Sequence, residues 1–153
     1  MMRNSEKETL QHIRRVQQLL NQVVGALLER ARLHDESKLS DPEVEVFEEY
    51  TSRLKSVTYG SEEYQECLAG MKPALDHHYR MNRHHPECHD KGVEGMSLID
   101  LIEMLVDWKA ASERHTDGDI HRSIRINQTR FGYGDALASI FTQSAYELWP
   151  TSL

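Results

Sequence analysis

Apolar residues recur at helical spacing along most of the chain. Ile13, Val16, Leu19, Leu20, Val23, Val24, Leu27 and Leu28 follow Ser5-Glu6-Lys7-Glu8, which has the form of a capping box, so a long helical region is expected from about Ser5. Asp41 and Pro42 read as an N-cap with proline in the first turn, and Val44, Phe47, Tyr50, Leu54 and Val57 carry a second helix as far as a break at Tyr59-Gly60-Ser61. A third stretch runs from about Ser61 through Cys67, Leu68, Met71 and Leu75, kinked or split at Pro73, with helical character resuming through His78 and Met81. Residues 82–97 hold a proline, two glycines and no apolar period, and read as loop.

Ser97 can cap a helix that is apolar nearly all round, Leu98, Ile99, Leu101, Ile102, Met104, Leu105, Val106 and Trp108, interrupted by Asp100, Glu103 and Asp107. Acids in so apolar a helix need a compensating partner. A turn at Thr116-Asp117-Gly118-Asp119, a short helix over Ile120 to Gln128, a break at Gly132-Tyr133-Gly134 and an amphipathic helix from Asp135 to Leu148 complete the chain. No stretch alternates with period two for long enough to form a strand. The pattern predicts an all-α fold of about six to seven helices, one domain over residues 1–153 with its core at about 8–148.

Composition narrows the partners. The chain has 153 residues, and 18 Lys and Arg against 25 Asp and Glu leave a net charge of −7. That argues against wrapping nucleic acid or adhering to an anionic membrane. No apolar run approaches the ~20 residues of a membrane span and the N-terminal residues lack a signal core, so a cytoplasmic protein is expected. Cys67 and Cys88 are too few and too far apart for a zinc ribbon or a disulfide scaffold. The apolar stretch from Ala136 to Trp149 can cover the core or pair with another subunit, which leaves a homo-oligomer open.

Histidine is the unusual residue. Of nine, five lie within residues 76–90. His34-Asp35 closes the first apolar region, and adjacent imidazole and carboxylate can ligate one borderline or hard divalent cation, with Asp107 as a third ligand. The competing fate of Asp107 is a helix salt bridge to Lys109 or Arg114. His12 stands 22 residues before His34, roughly 33 Å along a continuous helix. A hairpin turning near Gly25, beside Asn21 and Gln22, would bring the two together and is the arrangement expected; a straight helix would leave His12 facing solvent. His77-His78 and His84-His85 are seven residues apart, two helical turns, so one member of each doublet can face the same way and build a second site. Pro86 biases His85 away from helical geometry, placing the second doublet at a helix end. His89, His115 and His121 read as surface or supporting residues.

In their order, His12-Ile13-Arg14-Arg15-Val16, His34-Asp35-Glu36-Ser37-Lys38 and Asp107 within MLVDWKAA, these residues resemble the HD-domain superfamily of metal-dependent phosphohydrolases. More narrowly, the chain looks like a little-characterised group of small bacterial and phage HD-like proteins over about Glu8 to Phe131. The resemblance implies a first cation held by His12, His34, Asp35 and Asp107, and a second, bridged by Asp35, held by His78, His84 and His85. It implies one or two ions among Mn, Zn, Co, Ni, Mg and Fe. Asp35 and Lys38 would be catalytic, with Lys38 also meeting the substrate phosphate. Arg80, Arg83 and Arg130 are further candidates for phosphate contact. The implied activity is hydrolysis of a nucleotide or other small phosphate ester by metal-activated water. The Gly-Tyr-Pro motif of cyclic-dinucleotide enzymes is missing, which argues against cyclic di-GMP. The alternatives are a mixed-valence di-iron oxygenase on the same fold and a non-catalytic module that binds a nucleotide or a partner.

Overall fold

The computed structural model describes residues 3–54, 62–114 and 118–150, and all regular structure among them is helical. Six α-helices, α1 (Asn4–Leu33), α2 (Val44–Leu54), α3 (Glu62–Met81), α4 (Leu98–Ser112), α5 (Ile120–Phe131) and α6 (Asp135–Leu148), are joined in part by short 3-10 turns at Glu36–Leu39, Pro86–Cys88 and Gly92–Gly95. The chain divides into two compact units, Met1–His34 and Asp35–Leu153. No helix among the described residues is long and apolar enough to cross a membrane. Val57, the break at Tyr59-Gly60-Ser61, His115, and Thr116 and Asp117 of the expected turn lie outside the described residues.

The first unit is one helix. α1 runs unbroken through Gly25, so the expected hairpin does not form. Asn21 and Gly25 are weak helix formers, but each costs only about 1 kcal/mol or less, too little to halt a helix of this length. Its start also differs from the expected box. The Arg3 N–H donates to Glu6 Oε2 (2.8 Å), two residues ahead of the Ser5–Glu8 pairing. No described residue of α1 is buried.

The second unit holds the core, which gathers Met104 and Leu105 of α4, Ile120 and Ile124 of α5, Phe141 and Ala145 of α6, with Val93 and Tyr133 from the connections. Trp108 stacks on Phe131 and Tyr133 at 6.3 Å between ring centroids, so its aromatic surface serves packing. Gly132, at φ 69°, ends α5 in the left-handed conformation that glycine adopts without strain, matching the expected break. α2 begins at Val44, two residues beyond Pro42 and later than the expected proline-led turn. α3 continues through Pro73 as one element instead of two. Tyr50 of α2 lies where a side chain at Gly70 of α3 would stand, so this glycine allows the two helices to approach. That approach sets the segment before α2 beside the histidines of α3.

α4 explains one of its own acids. Ser97 Oγ accepts from the Asp100 N–H (3.2 Å), and Asp100 Oδ2 accepts in return from the Ser97 N–H (2.9 Å). The Asp100 carboxylate, fully buried, also receives Arg83 through Nε (3.2 Å) and Nη2 (3.0 Å). Burial pushes its pKa up, but the hydrogen bonds from Arg83 and Ser97 outweigh that and hold the carboxyl far below the usual range. Residues 82–97, expected as plain loop, contain two 3-10 turns, and His84 and His85, just before the first of them, lie against His78 of α3, with His84 also beside Glu103 of α4.

Candidate metal centre

Asp35 is the pivot of the second unit's site. It sits at φ 57°, a left-handed conformation uncommon outside glycine, though less so for Asp and Asn, and it caps the Glu36–Leu39 turn. The spacing of His34-Asp35-x-x-Lys38 is thereby one 3-10 turn. The Lys38 N–H donates to the Asp35 carbonyl (2.9 Å), and Lys38 Nζ donates to Asp35 Oδ2 (2.6 Å). With Oδ2 held by the lysine, Oδ1 faces three imidazoles.

Those imidazoles are His78 from the last turn of α3 and His84 and His85 from the segment after it. Asp35 Oδ1 lies 3.3 Å from His78 Nε2 and 3.5 Å from His84 Nε2, and His78 Nε2 lies 3.0 Å from His85 Nε2. All four ligand atoms fall within 4.8 Å of one another. Ligands at the ~2.0–2.1 Å typical of a divalent cation with nitrogen and oxygen donors stand about 2.8–3.4 Å apart, from adjacent octahedral to tetrahedral positions. The separations of 3.0, 3.3 and 3.5 Å match that spacing within about 0.1 Å. The donor set, three imidazoles and a carboxylate, suits zinc, iron, manganese, cobalt or nickel better than magnesium, which prefers oxygen.

Carboxylates, one buried and one half-buried, orient two of these rings. Glu43, 0% exposed, accepts from His77 Nδ1 (2.7 Å) and His78 Nδ1 (3.0 Å). Asn82 donates to Ser37 Oγ (2.8 Å), and Ser37 donates to the same glutamate (3.1 Å). A proton fixed on His78 Nδ1 leaves the Nε2 lone pair directed at Asp35. Glu103 Oε1 lies 3.2 Å from His84 Nδ1 and imposes the same tautomer on that ring. His78 and His84 are each 2% exposed. His85 stands against Tyr79 and His84, with ring centroids at 4.8 and 4.1 Å. Burial, and then its neighbours His84 and His78, push its pKa down to about 3 against the opposing pull of Asp107 and Asp35, so it is neutral at physiological pH. Three imidazole nitrogens converging on one carboxylate oxygen form a set of ligand atoms that could hold a cation.

The remaining candidates take varied places. Asp107 comes within 4.8 Å of Asp35. Its expected alternative partner Lys109 is engaged instead with Glu113 (2.8 Å). His34 closes the first unit as the cap of α1, one peptide bond before Asp35. His12 stands on the exposed, straight α1, so within one chain it shares no cation with His34. Arg83 has its guanidinium committed to Asp100, and Arg130 pairs with Glu87 (3.0 Å) over the Phe131 ring. Arg80 is exposed one residue beyond Tyr79. His89 Nε2 bonds the Arg83 carbonyl (2.9 Å), a supporting role.

Sequence reasoning missed Glu43 and Glu103. Glu103 carried a usable signal, since it is an acid in an apolar helix four residues before Asp107 and therefore on the same face. Glu43 carried none that separates it from Glu45, Glu48 and Glu49 nearby.

Residues 1–148 match the profile of a family described as a family of unknown function (DUF5662). No curated protein and no solved structure matches the chain.

Proposed function

Because the chain belongs to the DUF5662 family, to which no function is assigned, we propose from the chemistry of the site that the protein is a metal-dependent phosphohydrolase. It acts on a nucleotide or another small phosphate ester, as a phosphomonoesterase or phosphodiesterase. The observation that carries this reading is the convergence of Asp35 Oδ1 with the Nε2 atoms of His78, His84 and His85, two of those rings held by the glutamates Glu43 and Glu103. This is also the activity that the HD resemblance implies.

A divalent cation bound there supplies Lewis acidity, making hydroxide available from water near neutral pH and polarising a phosphoryl group. The chain's own residues do the rest. Glu43 and Glu103 keep His78 and His84 in the tautomer that presents Nε2. Asp107, beside Asp35, adds a second carboxylate, and His34 is the sequence's further candidate ligand. Lys38, half-buried with its ammonium on Asp35 Oδ2, is the cation nearest a phosphate that approaches Asp35. There it offsets the charge that redistributes over the phosphoryl oxygens in the transition state.

The test is metal analysis of the purified protein, followed by assays of phosphate release and phosphodiester cleavage with a nucleotide panel. Cation-dependent turnover that disappears on chelation and returns on adding Mn, Zn, Co or Ni supports hydrolysis. Two irons per chain with oxygen consumption would replace it by an oxygenase. A protein that binds nucleotide without turnover in any metal would replace it by a binding module.

A further inference from the structure

α1 cannot satisfy itself. It is the whole of the regular structure in its unit, it runs for 30 residues, and none of its described residues is buried. Isolated helices are marginal in water, and most helices in proteins owe their stability to packing an apolar face. The hairpin that would have covered this face from within the same unit does not exist. Ile13, Val16, Leu20, Val23 and Leu27 follow one another at intervals of three and four residues, a seam of five consecutive a and d positions. Leu10, Leu19 and Val24 widen it and are 40%, 42% and 52% exposed.

Together these residues offer on the order of 600 Å² of apolar surface, about the most a monomer leaves uncovered and close to the ~800 Å² per partner of a stable interface. Charge placement selects the partner. Between Leu10 and Ala26 the positions flanking the seam are Leu10, His12, Gln17, Leu19, Val24 and Ala26, with no Lys, Arg, Asp or Glu. Arg14 and Arg15 fall on the opposite face. The seam therefore meets a copy of itself without repulsion.

Its ends choose the direction. Continuing the same heptad puts Glu6 at the a position before the apolar run and Arg30 at the d position after it. Parallel pairing would set Glu6 against Glu6 and Arg30 against Arg30. Antiparallel pairing, with Val16 opposite the other copy's Leu20 and Ile13 opposite Val23, sets each Glu6 against an Arg30. Antiparallel helices also align their dipoles favourably. We propose that α1 is a self-association element, pairing antiparallel with α1 of a second copy of this chain through the seam from Ile13 to Leu27. The pairing is two-fold symmetric and closed. It does not rest on the metal site.

Sedimentation equilibrium of the full chain measures it directly. The expected mass at tens of micromolar is twice the 17.8 kDa of the chain. Leu20→Glu should give a monomer with the far-ultraviolet helical signal of the remaining elements intact. Arg30→Glu should raise the dimer dissociation constant about fivefold, and the exchange Glu6→Arg with Arg30→Glu should recover most of it, since acid again faces base. A wild-type monomer at every concentration overturns the proposal and means that the chain's own residues cover the face. A dimer that survives Leu20→Glu places the contact elsewhere and also overturns it. A dimer lost on Leu20→Glu but indifferent to Arg30→Glu and to the exchange overturns the antiparallel register.

Discussion

Two regions of this chain carry histidine on helices, and they make opposite use of it. On α1, His12 stands exposed on a straight helix with no buried residue. At the end of α3, His78 is 2% exposed, has a glutamate on Nδ1 and directs Nε2 toward an aspartate and another imidazole. The residue type is the same, and so is the helical setting. What separates them is a carboxylate within reach of the far ring nitrogen, because that carboxylate fixes the tautomer and aims the lone pair. A histidine becomes a ligand candidate through its support more than through its position in a motif.

The contrast can be broken from the His78 side first. Asp35→Asn keeps a residue that tolerates φ near 57° and removes the charge that faces three imidazoles. It should lower metal affinity by more than about 100-fold and remove activity while thermal unfolding stays cooperative, checked by metal content and calorimetry. Glu43→Gln and Glu103→Gln leave every first ligand in place and loosen only its orientation. Each should weaken metal binding about 10- to 100-fold in a competition titration with a chelating dye. Lys38→Ala should leave metal content unchanged and reduce turnover about 10- to 100-fold, a split that separates substrate charge from metal binding.

A smaller effect concerns acid. His85 has its pKa lowered from 6.5 to about 3 in the folded protein, so the unfolded chain binds that proton more readily. The stability it contributes is fully present above about 6.5 and is lost as pH falls toward 3, because protonation then favours the unfolded state. In metal-free protein, denaturant midpoints should decline over that window, and His85→Asn should flatten the decline. His12→Ala belongs at the bottom of the scale: metal content and turnover unchanged.

Much of the fold was legible because helix signals are local. The limits of α6 and the cap of α4 follow from Asp135, Leu148 and Ser97 in the sequence alone. The break after α5 follows from Gly132. The hairpin failed for a physical reason: Asn21 and Gly25 weaken a helix, but they supply no turn chemistry to stop one. For the site, the doublets and Asp35 were visible as residue types at suggestive spacing. Glu43 was not, because its role depends on α2 meeting α3 at Gly70, a contact that no local pattern encodes. Arg83 read as a phosphate ligand from its neighbours, whereas the cap of α4, fourteen residues on, claims it through Asp100.

The central claim is that the His78, His84 and His85 cluster with Asp35 holds a divalent cation. Elemental analysis by inductively coupled plasma mass spectrometry, on wild type, His84→Ala and His12→Ala after incubation with divalent ions and desalting, tests it most directly. Wild type and His12→Ala should carry one or two transition-metal ions per chain, and His84→Ala at least one fewer. Wild-type protein that remains metal-free, or folded His84→Ala that keeps the full complement, would contradict it.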